Sequence, residues 1–134
     1  MIQSHELRIG NHVTVNGERG AVVMINEKAV TLIKSSEEGL DEGTTYDLES
    51  IGPVPLTDDI LKACGFIYHE YFKYWQLISG TGPARSEMDI DRDYDVIDFL
   101  RRPIIKKVNS LHHLQNIFFT LKGKELVPDQ EPAL

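Results

Sequence analysis

The 134-residue chain lacks several features that would restrict its cellular setting. It has one cysteine, Cys64, and therefore cannot form an intrachain disulfide. No apolar run is long enough to span a bilayer. The first ten residues also lack the apolar segment of a secretory signal peptide. We therefore expect a soluble cytoplasmic protein that has no contact with membranes.

Sequence signatures of catalysis are missing as well. There is no G-x-S-x-G nucleophile motif and no glycine-rich loop of the kind that binds phosphate. Cys64 lies at the end of a predicted helix, where the helix dipole disfavours a thiolate, so we interpret it as a core residue. These observations predict neither an enzyme nor a bound cofactor.

Positive charge is scarce overall, and its distribution is uneven. The formal net charge of -7 argues against binding to duplex DNA, which depends on neutralising phosphates. Residues 37–59 contain eight acidic side chains and no lysine or arginine, whereas residues 101–124 contain six basic side chains and no acid. The basic segment could bind anions; alternatively, the two segments attract each other or are simply solvated.

Residues 12–52 have the pattern of short antiparallel strands. Val13 and Val15 alternate with polar residues. Asn16–Gly17 is a typical type I′ turn pair, because glycine accepts a positive φ without a steric penalty. Further short apolar runs follow at close spacing. The pattern predicts a small SH3-like barrel or a twisted antiparallel sheet at the N-terminus.

The second half of the chain begins with a predicted short helix. Thr57 is a suitable N-cap, and Gly65 is suited to the left-handed position that ends a helix. Residues 66–75 contain six aromatic side chains and predict two strands around a tight turn near His69–Glu70. Further antiparallel strands and a C-terminal helix packed on the sheet complete an α+β fold.

We expect one α+β domain over residues 1–127. It would consist of a β subregion at 5–52 and a second subregion at 53–127. Residues 128–134 are predicted to form a flexible tail.

Polar residues in the C-terminal helix raise the question of a metal site. Leu111, Leu114, Phe118 and Leu121 form one apolar stripe at helical spacing. Adjacent histidines diverge by about 100° on a helix, so His112 and its neighbour cannot readily bind one zinc ion. We interpret His112, Gln115 and Asn116 as a structural, hydrogen-bonded motif and predict no metal site there.

The segment 89–95 carries four aspartates at alternate positions. Tyr94 and Leu100 stand where a calcium loop needs glycine and glutamate, which argues against calcium. If the segment is a strand, period two places all four carboxylates on one face. We therefore expect an acidic, solvated face or a guarded sheet edge.

Three segments give the chain a family resemblance: ELRIGNHV, IGPVPLTDDILKACGF and LHHLQNIFFTLKGKEL. The chain resembles small uncharacterised proteins of phages, prophages and mobile elements of gut bacteria. In the last segment the likeness rests on His112, Leu114, Gln115, Asn116, Leu121, Gly123, Glu125 and Leu126. The resemblance implies an accessory protein that acts inside an infected bacterium, and it implies no particular activity.

The function that we expect is a non-enzymatic binding module, alone or as a homo-oligomer, that binds a host factor or acts against host defence. An alternative is a sponge for an anionic small molecule such as a cyclic nucleotide immune signal; a nucleic-acid-associated protein is a further alternative. A small anion would bind where the loop at 80–86 approaches Arg101–Pro103. The candidate residues are Tyr74, Trp75, Arg85, Arg101 and Arg102. Pairing of Arg85 and Arg102 with carboxylates of residues 89–98 is the competing interpretation.

Overall fold

A computed structural model describes residues 2–34 and 43–128 of the chain. The fold is α+β, as predicted, and the described residues form two antiparallel sheets and two α-helices. The chain folds into two compact units. The first comprises Met1–Pro55 and Ser110–Ile117, and the second comprises Leu56–Asn109 and Phe118–Leu134. Residues 129–134 of the predicted tail lie outside the described residues.

The first unit contains a five-stranded antiparallel sheet, curved as a half-barrel, in the order β4-β3-β2-β1-β5. Its strands are β1 (His12–Val15), β2 (Glu18–Ile25), β3 (Ala29–Lys34), β4 (Thr44–Asp47) and β5 (Ile51–Pro53). The predicted turn between β1 and β2 is confirmed: φ is 51° at Asn16 and 79° at Gly17. Alternate residues of β1 and β3, including Val13 and Val30, enter a core that is closed to solvent.

The second unit contains the other five-stranded antiparallel sheet, in the order β10-β9-β8-β7-β6. Its strands are β6 (Ile67–His69), β7 (Tyr74–Ser79), β8 (Ser86–Asp91), β9 (Val96–Ile97) and β10 (Pro103–Ile105). Helix α1 (Asp58–Ala63) precedes them. Thr57 caps this helix by accepting a hydrogen bond from the Ile60 N–H at 3.2 Å, as predicted.

Helix α2 (Leu111–Lys122) packs on the sheet. Ser110 caps it through a 3.4 Å hydrogen bond from the His113 N–H to the Ser110 hydroxyl. Gly123 ends it with φ of 69°. Within the first unit, Leu111 and Leu114 are completely buried. Within the described ranges, no helix is both long and apolar enough to cross a membrane.

Candidate functional site

An open groove of about 1030 Å³ lies in the second unit, beside α1 and the β6–β7 hairpin. Its volume is at the upper end of the range typical of small-molecule sites. Four aromatic side chains line it: Phe66, Tyr68, Trp75 and Tyr94. Tyr68 and Trp75 are cross-strand partners with ring centroids 5.0 Å apart. We call this feature the α1 groove.

Among the residues that the structure describes, the charged lining of the α1 groove is net positive, although the protein is acidic. Three cations, Lys62, Lys73 and Arg92, line it together with two acids, Asp58 and Glu70. All five are exposed, so their charged groups are accessible to a ligand. Basic side chains beside aromatic rings suit a ligand that combines an anion with a planar ring.

Tyr94 is held at the edge of the α1 groove by two constraints. Its hydroxyl donates a 2.7 Å hydrogen bond to a carboxylate oxygen of Asp58 in the first turn of α1. Burial and the hydrogen bond to Asp58 raise the pKa of Tyr94 to about 12, so the phenol stays protonated at neutral pH. Its backbone has φ of 62°, which is unfavourable for a residue with a bulky side chain.

Trp75 and Tyr74, both predicted to bind a ligand, point to opposite faces of the second sheet. Trp75 is only 4% exposed and forms the floor of the α1 groove. Tyr74 is half-buried on the other face, where its ring contacts His69 at 5.1 Å between centroids. Adjacent residues of a strand alternate in direction, so these two rings cannot sandwich one base.

The structure does not bring the three predicted arginines together. Arg85 pairs with Glu87 at 3.2 Å, and Arg102 pairs with Asp98 at 2.9 Å. The guanidinium carbon of Arg101 lies 5.6 Å from the Tyr74 ring centroid. The loop that carries Arg85 follows Ser79, whereas Tyr74 is at the other end of β7, about 17 Å away at 3.4 Å per residue.

The face of the second sheet opposite Trp75 carries a half-buried polar network. We call it the Gln76 cluster; its members are His69, Tyr74, Gln76, Glu87 and Asp89. The Gln76 amide nitrogen donates to Glu87 at 2.9 Å and to Asp89 and the Tyr74 hydroxyl at 3.3 Å. Its amide oxygen accepts from His69 Nε2 at 2.9 Å, which requires that this ring nitrogen carries a proton.

Two carboxyl groups of the Gln76 cluster interact directly. Burial and the neighbouring Glu87 raise the pKa of Asp89 to about 6. Burial alone would raise the pKa of Glu87. Hydrogen bonds from Asp89, Gln76 and Arg85 outweigh burial, and the pKa of Glu87 is lowered. Two adjacent carboxyls whose pKa values move apart share one proton at mildly acidic pH.

The predicted structural motif of α2 lies in the first unit. Gln115 accepts from the His12 N–H at 2.9 Å and donates to the Gly10 carbonyl at 3.2 Å. Asn116 accepts from Asn11 at 2.9 Å and donates to the Glu6 carbonyl at 2.7 Å. These bonds connect α2 to residues 6–12.

His112 is 4% exposed, and its Nε2 lies 3.6 Å from a carboxylate oxygen of Glu6. Burial lowers the pKa of His112, although Glu6 opposes the shift. Both this histidine and His12 have a buried Nδ1 without a hydrogen-bond partner in the described part of the chain. Among the same residues, no three histidine, cysteine or acidic side chains could hold a metal ion.

The prediction that residues 89–95 form one acidic strand face is wrong. Strand β8 ends at Asp91, whose carboxylate accepts from the Asp93 and Asp95 N–H groups at 2.9 and 3.1 Å. The chain therefore turns there, and only Asp89 and Asp91 belong to the strand. The turn also places Arg92 and Tyr94 at the α1 groove.

Sequence reasoning missed the basic residues of the α1 groove. Lys73 lies in the turn of the β6–β7 hairpin, which was predicted near His69–Glu70 without a role for the lysine, and Arg92 lies in a turn that the strand pattern did not resolve. One signal was present: DRDYD contains aspartates spaced to accept backbone hydrogen bonds in a turn. No protein-family model, curated protein or solved structure matches the chain.

Proposed function

We propose that the protein is a non-enzymatic binding module whose α1 groove binds a small anion that carries a planar ring. One observation carries the proposal: in a protein of net charge -7, the described lining of the groove combines three cations and two acids with an aromatic floor. Tyr68 and Tyr94 are the half-buried rings available for stacking. A nucleotide is the ligand class that needs both features, since its base stacks and its phosphate attracts basic side chains.

The lining of the groove supports binding more than catalysis. Within residues 2–34 and 43–128, that lining includes no serine, threonine, cysteine or histidine, the side chains most used as nucleophiles and proton carriers near neutral pH. In the setting that the phage resemblance implies, such a module would sequester a cyclic nucleotide immune signal. Sequestration requires affinity without turnover.

Calorimetry with a defined panel tests the proposal. The panel contains cyclic AMP, a cyclic dinucleotide and ATP, with adenosine as a ring without phosphate and pyrophosphate as an anion without a ring. We expect the protein to bind at least one of the nucleotides. It should bind adenosine and pyrophosphate more weakly than that nucleotide. Arg92→Ala should weaken nucleotide binding about tenfold or more, because a charge-assisted hydrogen bond contributes about 1.5–3 kcal/mol.

Arg85→Ala is the matched control, because it also removes an exposed arginine but lies outside the groove. It should leave the affinity unchanged. Loss of binding in Arg85→Ala with retention in Arg92→Ala would place the site at the loop that follows β7. Failure of every panel member to bind would refute the proposal.

A further inference from the structure

Exposed aromatic rings stand next to the Gln76 cluster and do not belong to the lining of the α1 groove. Tyr71 is 88% exposed and Phe72 is 52% exposed, and their rings meet edge to face at 4.9 Å. The guanidinium carbon of Arg101 lies 5.1 Å from the Phe72 centroid and 5.6 Å from the Tyr74 centroid. These distances are those of cation–π contacts, so the rings of Phe72 and Tyr74 already accept an organic cation.

Negative charge lies on the same face of the sheet. Glu87 and Asp89 are half-buried neighbours that share the Gln76 amide as a hydrogen-bond donor. Glu87 has Arg85 as an ion-pair partner, whereas no ion pair to Asp89 occurs within the described ranges. The pair is therefore only partly neutralised by cations of this chain.

We propose that this face binds a basic segment of a partner protein through one arginine or lysine side chain. The partner's cation would take the position above Phe72 and Tyr74 that Arg101 holds in the free protein, and it would bond to the Asp89 carboxylate. Arginine fits best, because its planar guanidinium can stack on a ring and bind a carboxylate at once. The net charge of -7 favours encounter with a basic partner.

Arg101 can be displaced at low cost. It is exposed, so its side chain can leave the two rings while the backbone stays in the turn that the 2.8 Å bond from its N–H to the Asp98 carbonyl holds. Its interactions with the two rings are of the exposed kind, which are weak. Arg101 is thus a competitor of the partner's cation, and its removal should tighten binding.

The test is an NMR titration of the full ¹⁵N-labelled chain with a blocked nonapeptide that contains three arginines. The same peptide with citrulline in place of arginine is the neutral control, and methylguanidinium is the small-molecule control. The arginine peptide should shift the amide signals of Tyr74, Gln76 and Asp89. Arg101→Ala should bind it about two- to fivefold more tightly, as expected for one exposed cation–π contact.

A pair of aspartate variants separates a defined site from general attraction between charges. Asp89→Asn removes the carboxylate of the site and should weaken binding about tenfold or more. Asp93→Asn removes an exposed carboxylate from the neighbouring turn and should change the affinity less than twofold.

Equal weakening by the two aspartate variants, equal binding of the citrulline peptide, or no binding of the arginine peptide would overturn the proposal. Weaker binding by Arg101→Ala would also contradict it. Methylguanidinium that binds as tightly as the peptide would show a site for free organic cations, and the assignment to a partner protein would then be wrong. The Gln76 cluster, Phe72 and Arg101 share no residue with the lining of the α1 groove. The peptide titration can therefore fail or succeed independently of nucleotide binding in that groove.

Discussion

Each of the two units contains a glutamine at the centre of a polar network, and the two networks differ in their partners. Gln115 of the first unit is 1% exposed and bonds to the backbone of Gly10 and His12, with a longer bond of 3.4 Å from the Asn11 side-chain amide. Gln76 of the second unit is half-buried, and its amide bonds to the side chains of the Gln76 cluster. A buried network that bonds to the backbone fixes the position of a helix. A half-buried network between side chains can exchange its partners for a ligand.

The turns of the two units show the same difference. The β1–β2 turn of the first unit uses Asn16 and Gly17 at positive φ, residue types suited to that conformation. The hairpin turns of the second unit place Lys73, Tyr94 and Arg101 there. Strained backbone at residues with long polar side chains is often found at binding sites. Lys73 and Tyr94 line the α1 groove, and Arg101 contacts Tyr74 of the Gln76 cluster.

The largest expected difference between the two units concerns the glutamines. Gln115→Met keeps the side-chain volume but leaves the Gly10 carbonyl and the His12 N–H without the bonds that Gln115 makes to them. We expect the free energy of unfolding to fall by about 3 kcal/mol, since each buried polar group left unpaired costs about 1–3 kcal/mol. Urea denaturation followed by circular dichroism measures this loss.

Gln76→Met is the matched control in the second unit. Water can reach the partners of Gln76, so the loss should stay below about 1 kcal/mol. Equal losses in the two variants would show that the Gln76 cluster is as structural as the Gln115 network.

A pH change from 7 to 5 should affect the two units in opposite directions. Burial, and secondarily Arg19, lowers the pKa of His12 to about 4, and burial also lowers the pKa of His112. Below about pH 6.5 the unfolded chain binds more protons at these histidines than the folded chain does, so acid destabilises the first unit. For His12 we expect about 1 kcal/mol at pH 5, after allowance for solvent screening.

Asp89 has the opposite effect on stability, because its pKa is raised to about 6. Between pH 7 and pH 5 the folded chain takes up a proton there that the unfolded chain does not, so acid stabilises the second unit by a few tenths of a kcal/mol. Amide hydrogen exchange in β1 and β2 against β7 and β8, corrected for intrinsic rates, measures both effects. A change of the same sign in both sheets would contradict the assignment. His12→Gln should reduce the acid effect in the first sheet only.

Local patterns in the sequence were sufficient to predict much of the fold. Alternation at Val13 and Val15, the Asn16–Gly17 turn and the Thr57 cap each depend on residues within a few positions of one another. Their outcomes in the structure confirm the strand, the turn and the helix start. Likewise, Gly65 adopts φ of 98°, as expected of a residue that ends a helix.

The candidate sites were harder to predict, because they depend on turns made by residues that seldom form them. Alternating aspartates resembled one long strand, and the turn that brings Arg92 and Tyr94 to the α1 groove was hidden as a result. Leu121 fits the helical stripe but is 47% exposed, since periodicity does not show how far a packed surface extends. Arg85 and Arg101 both lie beside β7 and β8, but they lie at opposite ends of these strands. The sequence shows that strands pair, and it does not show which of their ends a distant residue will reach.

The smallest effect expected of a substitution concerns Lys73, at the edge of the α1 groove. Its φ of 59° costs about 1–2 kcal/mol for a residue with a Cβ, and the greater freedom of glycine in the unfolded chain offsets part of that cost. Lys73→Gly should therefore raise the free energy of unfolding by about 0.5 kcal/mol while it weakens nucleotide binding severalfold. Gly17→Ala, where the added Cβ meets no atom within 4 Å, reports the strain alone and should lower stability by about 1 kcal/mol. Urea denaturation and calorimetry on both variants measure these changes. A loss of stability in Lys73→Gly would show that the lysine side chain supports the fold and would remove the strain argument for the groove.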